Sequence, residues 1–194
     1  MMKARYGLMV FLIFMSVLSV EAQRSTTGTM DPAEARAYFT DTLLVDQEGR
    51  QVRFYSDLLE GKVVVIDTIF TNCTGICPVL SGTFARLQDG LGDRMERDVR
   101  LISISVDPEN DSPARLKEYA KKFQAGKGWH FLTGDRRNID AVLRKLGQWV
   151  PDKEGHLGIL LIGNVAKGLW KKTPGVSPPQ EIIQIVESVI GDQG

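Results

Sequence analysis

The sequence predicts an α/β domain with an added β-hairpin on its N-terminal side. Three observations carry that prediction. Apolar, β-branched runs of strand length recur along the chain, stripes of apolar residues at helical spacing separate them, and an alternating stretch with a central Gly precedes the first run. The chain has 194 residues, 43% hydrophobic and 25% charged, which suits one domain with a full core.

The elements follow in order. "TDTLLVDQEGRQVRFYSDLLEGK" alternates around a Gly-centred turn and reads as the hairpin. "VVVIDTIF", Val63 to Phe70, is a buried strand. Leu80, Phe84, Leu87 and Leu91 mark a helix closed by Gly90 and Gly92. "RLISISV" is the next strand, and Ser112-Pro113 supplies the cap and first position of a helix whose stripe is Leu116, Tyr119, Ala120 and Phe123. "WHFLT" reads as a short strand, and Ile139, Val142, Leu143 and Leu146 line a helix ended by Gly147. "LGILLI" and "GLWKK" are two further strands, before a last helix lined by Ile182, Ile183, Val186, Val189 and Ile190. The order β-α-β, an inserted helix, then β-β-α is a thioredoxin-like plan, here an α/β thioredoxin-like fold with an added N-terminal hairpin.

The N-terminus reads as an export signal. Lys3 and Arg5 form a basic start, Gly7 to Val20 is apolar, and "VEA" offers a cleavage site after Ala22. The apolar run is shorter than the roughly 20 residues of a bilayer span. The expected division is a signal peptide over 1–22, a flexible segment over 23–39 and the domain over 40–191. The alternative is an uncleaved anchor, the one case in which the protein would associate with a membrane. Either way the domain lies outside the cytoplasm, in a periplasm or on the outer face of the membrane. The formal charge sums to zero, so nothing points to nucleic acid as a partner.

Both cysteines fall in "TNCTGICP", as Cys73 and Cys77. Outside the cytoplasm such a pair is oxidised unless something reduces it or a metal holds it. A disulfide closing so short a loop removes little chain entropy, so the pair reads as chemical rather than structural. Pro78 places it in the first turn of a helix. There the helix dipole is expected to lower the pKa of Cys77.

"TNCTGICP", "ISVDPENDSPARLKEYAKKF", "WHFLTG" and "HLGILLIG", in this order, resemble the Sco/SenC family over roughly Thr40 to Gly191. The resemblance implies a copper-binding protein that helps assemble the binuclear copper centre of cytochrome c oxidase. It implies a metal site of Cys73, Cys77 and His156, and a copper-site oxidase subunit as partner, with a thioredoxin-like reductant as a second. Two thiolates and an imidazole suit Cu(I) and can also hold Cu(II). Zinc is the competing metal, although its structural sites close with four ligands. Two departures stand out: Leu157 and Gly158 follow the histidine where Ser or Thr is common, and the preceding "GQWVPDKEG" is short.

Other polar residues take bland readings. His130, between Trp129 and Phe131, is a packed or solvated histidine. Asp107 ends a strand in a turn, Asp111 or Ser112 caps a helix, the "KGLWKK" lysines are solvated and Trp170 is packing. The leading function is a metallochaperone with no catalytic residues. The alternatives are a thiol–disulfide oxidoreductase using Cys73 and Cys77 as its redox pair, or a redox or copper sensor. His156 favours the chaperone, because it occupies the place where reductases carry a proline before the late strand.

Overall fold

The computed structural model describes residues 31–156 and 158–191; the segment read as a signal peptide lies outside them. A short helix α1 (Pro32–Phe39) opens the described chain, capped by the Asp31 carboxylate, which accepts from Ala33 N at 2.9 Å. It buries Ala35 and Phe39, and Phe39 lies 5.4 Å from the Trp170 ring, centroid to centroid. The flexible segment expected over 23–39 therefore does not extend through residues 32–39. Burying one aromatic ring, about 1.5–3 kcal/mol, is enough to dock a two-turn helix that isolated propensity would not sustain.

The hairpin forms as β1 (Leu43–Asp46) and β2 (Gln51–Arg53), paired antiparallel with Leu44 opposite Val52. Its turn needs Gly49, whose φ is 78°. The following residues leave the sheet: Phe54–Leu59 forms a π-helical turn that buries Phe54, Tyr55, Leu58 and Leu59. The core then alternates: β3 (Val63–Ile69), α2 (Ile76–Leu91), β4 (Val99–Ser105), α3 (Pro113–Lys122), β5 (Trp129–Thr133), α4 (Arg136–Leu146), β6 (Ile159–Asn164), β7 (Leu169–Pro174) and α5 (Pro179–Gly191). Ser112 caps α3 as expected, accepting from Arg115 N at 3.3 Å, and Gly147 ends α4 in the left-handed region.

One seven-stranded sheet results, in the order β2-β1-β5-β4-β3-β6-β7. β3, β4 and β5 run parallel, whereas β6 is antiparallel to β3 and β7 to β6. Every residue of β3 is buried, as a central strand covered on both faces requires. Phe84 of α2 meets Trp129 at 5.6 Å, and Tyr119 of α3 meets Phe131 at 6.1 Å, on one face. α5 packs beside α2 on that face, where Gly90 allows close approach to Ile183. α1 and α4 cover the other. This is the thioredoxin-like arrangement with the added hairpin.

The topology fixes the site. β6 runs antiparallel to β3, with Ile66 at the centre of β3 opposite Leu161 near the start of β6. The loop leaving β3 and the loop entering β6 therefore meet at one edge of the sheet, where the parallel β4 also ends.

Candidate metal centre

The loop from β3 to α2 carries both cysteines. Cys73 N donates to Phe70 O at 3.1 Å, turning the chain back over the sheet. Gly75 precedes α2 without a capping side chain, and Cys77 is the second residue of that helix. Cys77 is fully buried, Cys73 partly exposed, and both are free thiols.

His156 follows a 3₁₀ turn (Lys153–Gly155) and precedes β6. Its Nδ1 lies 2.7 Å from Lys153 O. A carbonyl oxygen only accepts, so Nδ1 carries the proton, and Nε2 faces Cys77 Sγ at 3.2 Å. The ring is 8% exposed and meets Phe70 edge-on at 5.4 Å. Together, one donor atom each from Cys73, Cys77 and His156 lie within 4.8 Å of one another. A pocket of about 290 Å³ lined by Asn72, Cys73, Gly75, Ile76, Glu154 and His156 opens beside them.

The electrostatics depart from the sequence expectation. The Cys77 thiol is pushed far above its ordinary 9.0, first by burial and next by Cys73 alongside. The helix dipole at α2 does not offset that desolvation, because burial removes the water that would solvate a thiolate. In the metal-free protein burial favours the neutral thiol at Cys77, whose sulfur lies 3.2 Å from His156 Nε2. A bound metal ion would supply the positive charge that makes the thiolate acceptable there.

The donor chemistry fits a soft, low-coordinate metal: two sulfurs and an imidazole nitrogen held in position by the Nδ1 bond. Among the described residues the group contains no fourth His, Cys, Asp or Glu, whereas structural zinc closes with four.

The other residues singled out in the sequence fall elsewhere. His130 sits on β5, its Nε2 3.7 Å from Glu96 Oε2, too far for a hydrogen bond, and burial lowers its pKa. Trp170 packs over Gly163, where a Cβ would lie 2.3 Å from the ring, and against Phe39. Lys171 donates to Ser188 Oγ. Gly158, one of the two departures after the histidine, is explained by packing: a Cβ there would press Ile76 Cγ1 at 3.2 Å.

Asp107 lies in the turn that follows β4, as read, and of the two cap candidates for α3 it is Ser112, not Asp111, that caps it; neither carboxylate is confined to its own turn. Asp111 accepts from Thr71 Oγ1 at 2.5 Å and Ser105 Oγ at 2.6 Å. Asp107 accepts from Lys153 Nζ at 2.7 Å. Lys153 was not distinguished in the sequence, since a lysine in a polar loop carries no signal of a partner 46 residues away.

Residues 30–190 match the SCO1/SenC family model. The SCO1 protein homolog of Bacillus subtilis is 45% identical over 91 residues, 46% of this chain and 45% of that protein. The chain thus spans under half the length of that relative. BsSco, a member of the Sco family of cytochrome c oxidase assembly proteins in which a disulfide switch was identified, has a structure 35% identical in sequence with a TM-score of 0.64, covering 76% of this chain and 90% of that one. Copper-bound ScoI of Bradyrhizobium japonicum is 27% identical with a TM-score of 0.64, covering 76% of this chain and 96% of its own. With a thioredoxin-like sheet, a Cys-Cys-His cluster at its edge and a family match over nearly all the described residues, the chain belongs to the SCO1/SenC family.

Proposed function

We propose that this protein is an extracytoplasmic copper metallochaperone that assists assembly of the binuclear copper centre of cytochrome c oxidase. The observation that carries the reading is the convergence of Cys73, Cys77 and His156, with donor atoms within 4.8 Å. The relatives support copper as the cargo, and the signal-like N-terminus supports export. Cys77 and His156 form the buried wall of the site, and partly exposed Cys73 is the thiol an incoming protein reaches first. Transfer then proceeds by ligand exchange: the thiolates of the copper-site subunit replace those of this chain, entering at Cys73. His156, held by its Nδ1–H bond, presents Nε2 throughout.

A second reading uses the same thiols. Two free cysteines, one of them exposed, can reduce a partner disulfide: the Cys73 thiolate attacks one partner sulfur and the other leaves as a thiolate. Cys77 then resolves the mixed disulfide, leaving Cys73–Cys77 oxidised and the partner as a dithiol. Cys73 takes the attacking role because it is partly exposed, whereas Cys77 is fully buried. His156 separates the two readings. In cells lacking this protein, copper delivery requires that His156→Ala fail to restore oxidase activity at normal expression. Restoration equal to wild type would leave thiol chemistry as the function.

A further inference from the structure

Two acidic residues of one turn hold the two loops that carry the candidate metal ligands. The turn, residues 105–112, leaves β4 at the sheet edge where the ligands meet. Asp111 is buried and accepts from Thr71 N at 3.2 Å, Thr71 Oγ1 at 2.5 Å and Ser105 Oγ at 2.6 Å. Thr71 stands two residues before Cys73. Arg115, just inside α3, adds a bond from Nη2 to Asn72 Oδ1 at 2.9 Å, so the cysteine loop is anchored at consecutive residues.

Asp107 serves the other loop. It is 5% exposed and its carboxylate accepts from Lys153 Nζ at 2.7 Å and from Asn110 Nδ2 at 2.8 Å. Lys153 Nζ also lies 5.1 Å from the centre of the Phe70 ring, the ring that His156 meets edge-on. The backbone carbonyl of this lysine accepts from both His156 N, at 3.2 Å, and His156 Nδ1, at 2.7 Å. The side chain of Lys153 is thus pinned to the turn after β4 while its carbonyl sets the tautomer and orientation of the imidazole.

We propose that the turn 105–112 is a brace for copper capture, in which Asp107, acting through Lys153, and Asp111, acting through Thr71, are positioning residues for His156 and the cysteine loop. This rests on the copper-binding reading above. The brace fixes the imidazole against the thiols before metal arrives, so that capture does not have to order a loop. None of these residues belongs to the Cys73–Cys77–His156 cluster; they act on the groups that do. The sequence reading of Asp107 and Asp111 as turn and cap residues accounts for their place in the chain but not for bonds reaching 40 and 46 residues away.

The test uses the full chain, reduced and metal-free, with Lys153→Met, Lys153→Arg and Thr71→Val. Cu(I) affinity is read by competition with a chromophoric chelator, and the His156 tautomer by ring ¹⁵N shifts. Lys153→Met should weaken Cu(I) binding about tenfold, the low end for a group that orients a metal ligand. Its metal-free Tm should move by no more than about 4 °C, because the lost ion pair is partly solvated. Lys153→Arg should restore most of the affinity, and Thr71→Val should lower it without changing the tautomer. In the ring spectrum, wild type should show a single Nδ1–H form and Lys153→Met a mixture. Unchanged affinity with a single tautomer in Lys153→Met overturns the brace, as does a loss that Lys153→Arg leaves in place. Should wild type bind no copper, the copper reading falls, and the ring spectra alone decide whether Lys153 positions His156.

Discussion

Asp67, in the middle of β3, makes stability depend on pH with an unusual sign. It is 1% exposed, and burial pushes its pKa from 3.8 up to about 7 against a weaker pull from the Ser103 hydroxyl beside it. A group whose pKa is higher in the folded chain than in the unfolded one binds more protons when folded between those values. Folding stability therefore falls as pH rises from about 4 through 7, the reverse of an ion-paired carboxylate. The gap from 3.8 to about 7, at roughly 1.4 kcal/mol per pH unit, gives a ceiling of about 4 kcal/mol. The interval from pH 5 to pH 8 captures most of it, about 3 kcal/mol. Asp67→Asn keeps the shape and removes the titration. Urea unfolding of the reduced, metal-free protein at pH 5 and pH 8 measures the effect. Relative to the Asn variant, wild type should lose about 3 kcal/mol between the two pH values. If the two proteins respond to pH in parallel, Asp67 is not held protonated by burial, and its environment has been misjudged.

Three further outcomes follow from the same geometry. His156→Ala should weaken copper binding severely while both thiols remain titratable, measured by metal competition beside a thiol count; undiminished affinity would remove His156 from the ligand set. Oxidation should join Cys73 and Cys77, whose sulfurs lie within 4.8 Å, so that oxidised protein shows no free thiols and takes up little copper. Equal uptake by both redox forms would mean these thiolates are not the ligands. Gly128 precedes β5 with φ 84°, and a Cβ there would lie 2.7 Å from the backbone N of Glu96. Gly128→Ala should destabilise the protein by about 2 kcal/mol or more in thermal unfolding, and an unchanged Tm would contradict the close approach.

Much of the fold was legible because periodicity and packing agree. Leu80, Phe84, Leu87 and Leu91, read as the stripe of a helix, are the buried face of α2, and the β-branched run from Val63 became the central strand. Two segments were not legible. The helix α1 has only Ala35 and Phe39 to bury, and what holds it is a ring on β7 far along the chain. The turn Phe54–Leu59 followed an alternating stretch and read as more hairpin, yet its apolar residues fall in adjacent pairs, which a wide helical turn buries and a two-faced strand would not.

At the site, the three ligand candidates came from the family resemblance, and the structure brings all three together. The local chemistry was read less well. A cysteine in a helix's first turn predicts an acidic thiol only when water or a cation reaches the sulfur, and Cys77 is sealed from solvent by the fold. Burial of that kind depends on α2, Phe70 and His156 converging, which no local pattern reveals. The ion pair of Asp107 with Lys153 was hidden for the same reason: each residue alone is ordinary in a polar turn.

The central claim is that Cys73, Cys77 and His156 hold copper as one set. Anaerobic Cu(I) titration of the reduced full chain, followed by X-ray absorption at the copper edge, tests it most directly. The account predicts saturation at about one copper per chain, with a first shell containing both sulfur and imidazole nitrogen. Blocking the thiols should abolish the uptake. A first shell without sulfur, or undiminished uptake after the thiols are blocked, would contradict it.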